Sequence, residues 1–226
     1  MCGRYIIASS PDALRRLFGY GEQPNFPPRY NVAPTQPVPV VILDNGVRQF
    51  RLMRWGFLPS WVKDPGKFAL VINARSETVL EKPSFRNSIR RRRCLLPADG
   101  YYEWQVSPSR KRPFFIRRRD SAPIAFAGVA ETWAGPNGEE VDTVAIVTAA
   151  AGPEMALLHE RDTWSARLLA LTAALFINRP RPRSQRARAA GRSSRRSACS
   201  ARSCSAMAAW ACVVDRGGRW SFSSDS

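Results

Sequence analysis

Apolar residues in the first 161 positions follow two spacings. After Ser10 and Pro11, Leu14, Leu17 and Phe18 recur at helical intervals. A serine hydroxyl can accept from the free N–H groups of a first turn, and proline fits the first helical position. A short helix is expected there, with those three residues as its apolar stripe. Strand-length apolar runs follow at Val38–Leu43, Gln49–Trp55, Tyr101–Val106, Pro113–Arg117, Ile124–Ala130 and Val144–Thr148. Clusters of Pro, Gly, Asn and Asp separate them. A second helix is expected to open at Pro153 and to carry Met155, Leu158 and His159. Many short strands with few helices predict an α+β fold: a mainly antiparallel, barrel-like curled sheet with a few short flanking helices.

The pattern fades after Arg161. Residues 162–226 hold twelve Arg, no Lys and three Asp, so they carry +9 of the net +17. Apart from an apolar stretch at 168–177, no period of 2 or 3.6 is visible. The expected organisation is a compact domain over 1–161 and an Arg/Ala/Ser-rich tail over 162–226. That composition suits a disordered basic tail or out-of-frame translation of a GC-rich gene, and the abrupt change favours the frameshift. The stretch from Leu168 to Ile177 falls short of the roughly 20 apolar residues that span a bilayer. The start, Met1-Cys-Gly-Arg-Tyr5, has no charged-then-apolar leader. A cytoplasmic, nucleoid-associated protein with no membrane partner is expected.

The positive charge favours a polyanionic partner, because counterion release adds affinity for nucleic acid. Cysteine is present five times and histidine once, with no Cys-x2-Cys pair. Reduced thiols are expected, with no metal and no cofactor.

Cys2 changes the picture. Cysteine is small enough for an aminopeptidase to remove Met1, which would place an α-amine and a thiol on adjacent carbons. The amine, with a pKa of about 8, is partly neutral near pH 7. It can condense with an aldehyde to an imine, and the thiolate can close onto the imine carbon to give a five-membered thiazolidine. Met-Cys alone is a weak signal; the other motifs strengthen it.

Those motifs are Met1-Cys-Gly-Arg-Tyr5, Arg29-Tyr-Asn-Val-Ala-Pro34, Arg54-Trp-Gly-Phe-Leu-Pro59 with Trp61, Ile72-Asn-Ala-Arg-Ser-Glu-Thr78, Cys94-Leu-Leu-Pro-Ala-Asp-Gly-Tyr-Tyr-Glu-Trp104, Pro113-Phe-Phe-Ile116, Phe126-Ala-Gly-Val-Ala130, Val147-Thr-Ala-Ala150 and His159-Glu-Arg161. In this order the chain resembles the SRAP family of abasic-site processing proteins. The resemblance implies the SRAP fold, a monomer, self-removal of Met1, and shielding of abasic sites in single-stranded DNA by a covalent thiazolidine. It implies catalytic roles for Cys2, Asn73, Glu103 and His159. Asn73 would hold the N-terminal cysteine and the sugar. Glu103 would act as acid and base while the closed sugar opens and the carbinolamine loses water. Its neighbours Tyr102 and Trp104 point to the opposite face of a strand, so its desolvation must come from elsewhere. His159 would protonate the ring oxygen and hold the opened sugar.

Arg4 and Arg75 adjoin the reactive residues in sequence and are the expected phosphate ligands, with Arg86 and the run Arg90–Arg93 as auxiliaries. Trp61 and Pro34 resemble the family's wedge elements, and stacking contributes about 1–3 kcal/mol per base. Val62 stands where relatives can carry a second aromatic. Trp55 and Trp104 are expected in the core. Beyond Arg161 the family continues with a Met-Pro-Val-like strand, whereas this chain reads Asp162-Thr-Trp, so the resemblance implies a catalytic domain over 1–161 that lacks its C-terminal part, with sheet edges left unpaired. Two other readings remain open: a non-covalent single-stranded nucleic-acid binding module using Trp61 and the arginines, and an N-terminal-nucleophile amidohydrolase.

Overall fold

A computed structural model describes residues 2–106, 111–118, 120–156, 158–163 and 211–215. The chain opens with strand β1 (Arg4–Ile7) and helix α1 (Pro11–Phe18). Ser10 caps α1 by accepting from the Ala13 N–H at 3.2 Å, and Gly19 ends it at φ 68°, where a side chain would be strained. Leu14 and Phe18 are buried, but Leu17, expected on the same stripe, is exposed. In so short a helix only the 14/18 spacing faces the core.

Strands β2 (Arg29–Val32), β3 (Pro37–Asp44) and β4 (Val47–Trp55) follow. Asn45 and Gly46, at φ 49° and 82°, join β3 to β4, the two positive angles that a tight hairpin demands. Next come a single 3-10 turn at Pro65–Lys67, strand β5 (Asn73–Arg75) and helix α2 (Ser88–Arg91). The rest comprises β6 (Arg93–Ala98), β7 (Gly100–Val106), β8 (Lys111–Arg118), β9 (Ile124–Ala134), β10 (Glu140–Ala150), helix α3 (Pro153–Ala156), β11 (Arg161–Thr163) and β12 (Ala211–Asp215).

Strands β10, β4, β3, β6 and β9 pair in that order, and β9 pairs back to β10, closing a five-stranded barrel. All contacts around it are antiparallel except β10 with β4. β10 also pairs in parallel with β5 and antiparallel with β11 beyond the barrel. A second antiparallel sheet, ordered β12-β8-β7-β1-β2, lies against the barrel. The chain passes between the two at Asp99, whose carboxylate accepts from the Ala8 and Ser9 N–H groups at 2.5 and 2.8 Å.

The main core lies between barrel and sheet. There Tyr5 meets Trp55 and Phe126 edge-on, at 5.4 and 5.6 Å between ring centroids. Burying each large apolar side chain contributes about 1.5–3 kcal/mol. A second cluster covers the other face of β9 and β10, where Val79, Phe85 and Ile89 pack on Ala127, Val129, Ala145 and Val147.

The barrel-like antiparallel sheet with few short helices is the expected fold, enlarged by strands that the apolar pattern did not mark. The second helix is shorter than expected: it ends at Ala156, so Leu158 and His159 lie beyond it. Trp55 is fully buried, whereas Trp104 is only half-buried. Most of the expected tail lies outside the described residues; its described parts, Asp162, Thr163 and Ala211–Asp215, lie in β11 and β12. No helix among the described residues is long and apolar enough to cross a membrane.

Candidate active site

Cys2 lies two residues before β1 and is 1% exposed. Its carbonyl accepts from the Asn73 Nδ2 at 3.2 Å, and its Sγ donates to the Arg4 carbonyl at 3.7 Å. Asn73 opens β5, held in register by β10 through the pairs Ile146 with Asn73 and Thr148 with Arg75. The other end of the same amide, Oδ1, is buried and has no hydrogen-bond partner among the described residues. A buried acceptor without a donor is costly, by about 1–3 kcal/mol.

Glu103 lies on β7 and is 4% exposed. Tyr102 packs on Trp104 and Phe115 on the far side of the strand, so the flanking aromatics do point away from the carboxylate. Glu103 shares its face with buried Tyr101, and its charge acts on Cys2. Burial pushes the Cys2 thiol up, and the Glu103 carboxylate pushes it further, against a backbone hydrogen bond at Arg4; Asp162 adds in the same direction as Glu103, with the smallest effect. The resting sulfur is therefore a neutral thiol. It has to give up its proton as it forms a bond.

His159 stands between α3 and β11, half-buried. The Arg161 backbone N–H donates to its Nδ1 at 3.0 Å, so in the neutral ring the proton resides on Nε2. Arg161 fixes this segment. Its guanidinium donates to Glu77 Oε2 at 2.9 Å and to the Thr148 carbonyl at 3.0 Å. That contact draws the Glu77 carboxyl down to about 2. Asp162 accepts from the Tyr101 hydroxyl at 2.6 Å.

The structure thus brings Cys2, Asn73 and Glu103 together, while His159 stands just before β11, the strand that pairs with β10. Sequence reading missed Tyr101 and Asp162. Tyr101 has no motif-independent signal, and Asp162 lies just past the point where the motifs end. Among the described residues, no group of three or more His, Cys, Asp or Glu is arranged to hold a metal.

The expected DNA contacts are spread more widely. Arg4 is half-buried and donates to the Gly3 carbonyl at 2.8 Å, while Arg75 is exposed at the end of β5 beside Asn73. Pro34 lies in the turn after β2, which is fastened to the end of β4 by the Thr35 N–H on the Trp55 carbonyl at 2.7 Å. Trp61 is 58% exposed and rests edge-on against Phe68. Val62 is buried with Leu58 and Trp133, so that position faces the interior and offers no stacking surface. Arg86 is exposed beside Phe85, on the segment that covers the barrel. Arg90 and Arg91 are exposed, but Arg92 pairs with Glu131 at 3.3 Å.

Comparison with known proteins gives a consistent picture. The family model described as SOS response associated peptidase (SRAP) matches residues 1–179. The abasic site processing protein YoqW of Bacillus subtilis is 38% identical over 165 residues, 71% of this chain and 74% of its own length. The abasic site processing protein HMCES of Xenopus tropicalis is 28% identical over 205 residues, covering 71% of this chain and 61% of its own. Among solved structures, a Bacteroides thetaiotaomicron protein superposes with a TM-score of 0.71 at 23% identity, covering 81% of this chain and 84% of that one. A phage-related protein from Bordetella bronchiseptica gives 0.58 at 29% identity, covering 73% and 76%.

Proposed function

Because the chain belongs to the SOS response associated peptidase family, we propose that it captures abasic sites in single-stranded DNA through a covalent bond to Cys2. Removal of Met1, self-catalysed in this reading, frees the Cys2 α-amine. The opened sugar presents an aldehyde. The neutral amine adds to its carbon, and the carbinolamine loses water to leave an imine. The Cys2 sulfur then bonds to the same carbon; the C=N electron pair moves to nitrogen, which takes up a proton as a base receives the one the thiol gives up. The product is a thiazolidine joining protein to DNA.

In this reading Glu103 moves the protons of these steps, supported by its burial and by the effect of its charge on the thiol. Asn73 grips the Cys2 carbonyl with one end of its amide and offers the other to the carbinolamine or a sugar hydroxyl. His159, with Nε2–H as donor, would protonate the ring oxygen during opening and permit reversal. Arg4, Arg75 and Arg86 would hold phosphates, while Trp61 and Pro34 would splay the neighbouring bases. The setting in this proposal is DNA-damage repair by a monomer in the cytoplasm, associated with the nucleoid.

The observation that carries the reading is the buried Cys2 gripped by an amide whose own acceptor lacks a donor among the described residues, beside a buried carboxylate. Incubation with single-stranded DNA containing one abasic site tests it. The expected result is a denaturation-resistant adduct, one DNA strand heavier by intact mass, that Cys2→Ala abolishes. Salt-sensitive retention indifferent to Cys2→Ala would instead indicate a non-covalent binding module. Turnover of small amides without DNA would indicate an amidohydrolase.

A further inference from the structure

We infer that the hydrogen bond from Tyr101 to Asp162 is the tie that sets His159 relative to Glu103 across the site, making Tyr101 and Asp162 positioning residues. This rests on the capture chemistry proposed above. Glu103 and His159 belong to different bodies. Glu103 rides on β7 in the flanking sheet, whereas His159 precedes β11, which hangs from the barrel strand β10. Two groups that move protons on one sugar need a fixed separation, and packing within either sheet alone cannot fix it.

The Tyr101–Asp162 bond spans that seam. The phenol donates to Asp162 Oδ1 at 2.6 Å, a charge-assisted contact stronger than one between neutral groups. Its sheet-side end is rigid. Tyr101 is 3% exposed, packs edge-on against Phe126 at 5.8 Å, and lies on the same face of β7 as Glu103. Its barrel-side end is short. Asp162 pairs with Ala149 of β10, and its neighbour Arg161 donates through its backbone N–H to the His159 ring. A shift of Asp162 therefore reaches the imidazole through one residue. The Asp162 charge also acts, weakly, on the Cys2 sulfur.

The test uses three variants of the full chain and two readouts. Tyr101→Phe deletes the donor and Asp162→Ala the acceptor, while Asp162→Asn keeps a side-chain oxygen that can still accept. His159 is the single histidine in the sequence, so its ring C–H resonances report on that side chain alone. Tyr101→Phe and Asp162→Ala are expected to shift or broaden these resonances and to slow adduct formation at saturating DNA about tenfold, with half-saturation unchanged. Asp162→Asn should retain the wild-type resonances and a rate within about twofold of wild type. The inference is overturned if Tyr101→Phe leaves both resonance and rate untouched, or if Asp162→Asn is as impaired as Asp162→Ala. If the wild type forms no adduct, the capture reading fails, and the histidine resonances alone decide the tie.

Discussion

At the scale of single residues, the site is defined by what burial does to charge. Cys2 is neutral because water cannot reach it and because a carboxylate stands beside it. Glu103→Gln removes that negative charge, with two opposed consequences. The thiol becomes easier to ionise, so the ultraviolet absorbance of its thiolate, taken as the difference from a Cys2→Ala background, develops at lower pH. Proton transfer to and from the sugar is lost, so adduct formation slows by about a hundredfold, the range for one general acid–base group. DNA affinity changes little, because no phosphate contact is touched. Equal adduct rates in wild type and variant would remove Glu103 from the mechanism. The motifs made Cys2, Asn73, Glu103 and His159 legible as separate candidates. That three of them meet was not legible, because the meeting depends on a hydrogen bond spanning 71 positions and on strand pairings over longer separations still. The strain on Asn73, an amide with one end satisfied and the other unpartnered among the described residues, has no signature in one dimension.

At the scale of elements, the strands with clear apolar runs were visible: β3, β4 and β7 to β10 all fall on expected segments. β1, β2 and β5 were not, since strands of three or four residues are too short to show a period. β6 was hidden for another reason. It is buried along nearly its whole length, so no alternation marks it. Its partner β9 approaches closely at Gly128, opposite Cys94. A Cβ there would collide with Leu96 and come within 2.9 Å of the Cys94 sulfur. Gly128→Val should therefore destabilise the barrel by about 1–3 kcal/mol, the usual cost of overpacking. A lower urea midpoint at unchanged slope would register this; an unmoved midpoint would mean that the strands separate without penalty.

At the scale of the whole molecule, the charge is divided between the body and the segment beyond the motifs. Twelve of the arginines lie in residues 162–226. Within that segment, β12 pairs with β8 and covers an edge of the flanking sheet. A chain ending at Thr163 should bind undamaged single-stranded DNA more weakly and with a shallower dependence on salt, because each lost phosphate contact lowers the slope by about 0.7. Titration at several salt concentrations measures this. An identical slope would place the whole electrostatic contact on the body, where Arg75 and its neighbours stand.

Strand β10 shows what a fold built in this way demands of its sequence. Thr143, Val144, Ala145, Ile146, Val147 and Thr148 are each no more than 1% exposed, and the four between the threonines enter opposite interiors in turn. An ordinary sheet strand has a wet side on which mutations accumulate, so its tolerance rises and falls with every second position. Here both sides are dry. Six consecutive positions lie under constraint without a break, and a slip of one residue would exchange the contents of two cores at once. The same strand aligns Asn73 and the segment bearing His159, so drift in this stretch would disturb stability and chemistry together.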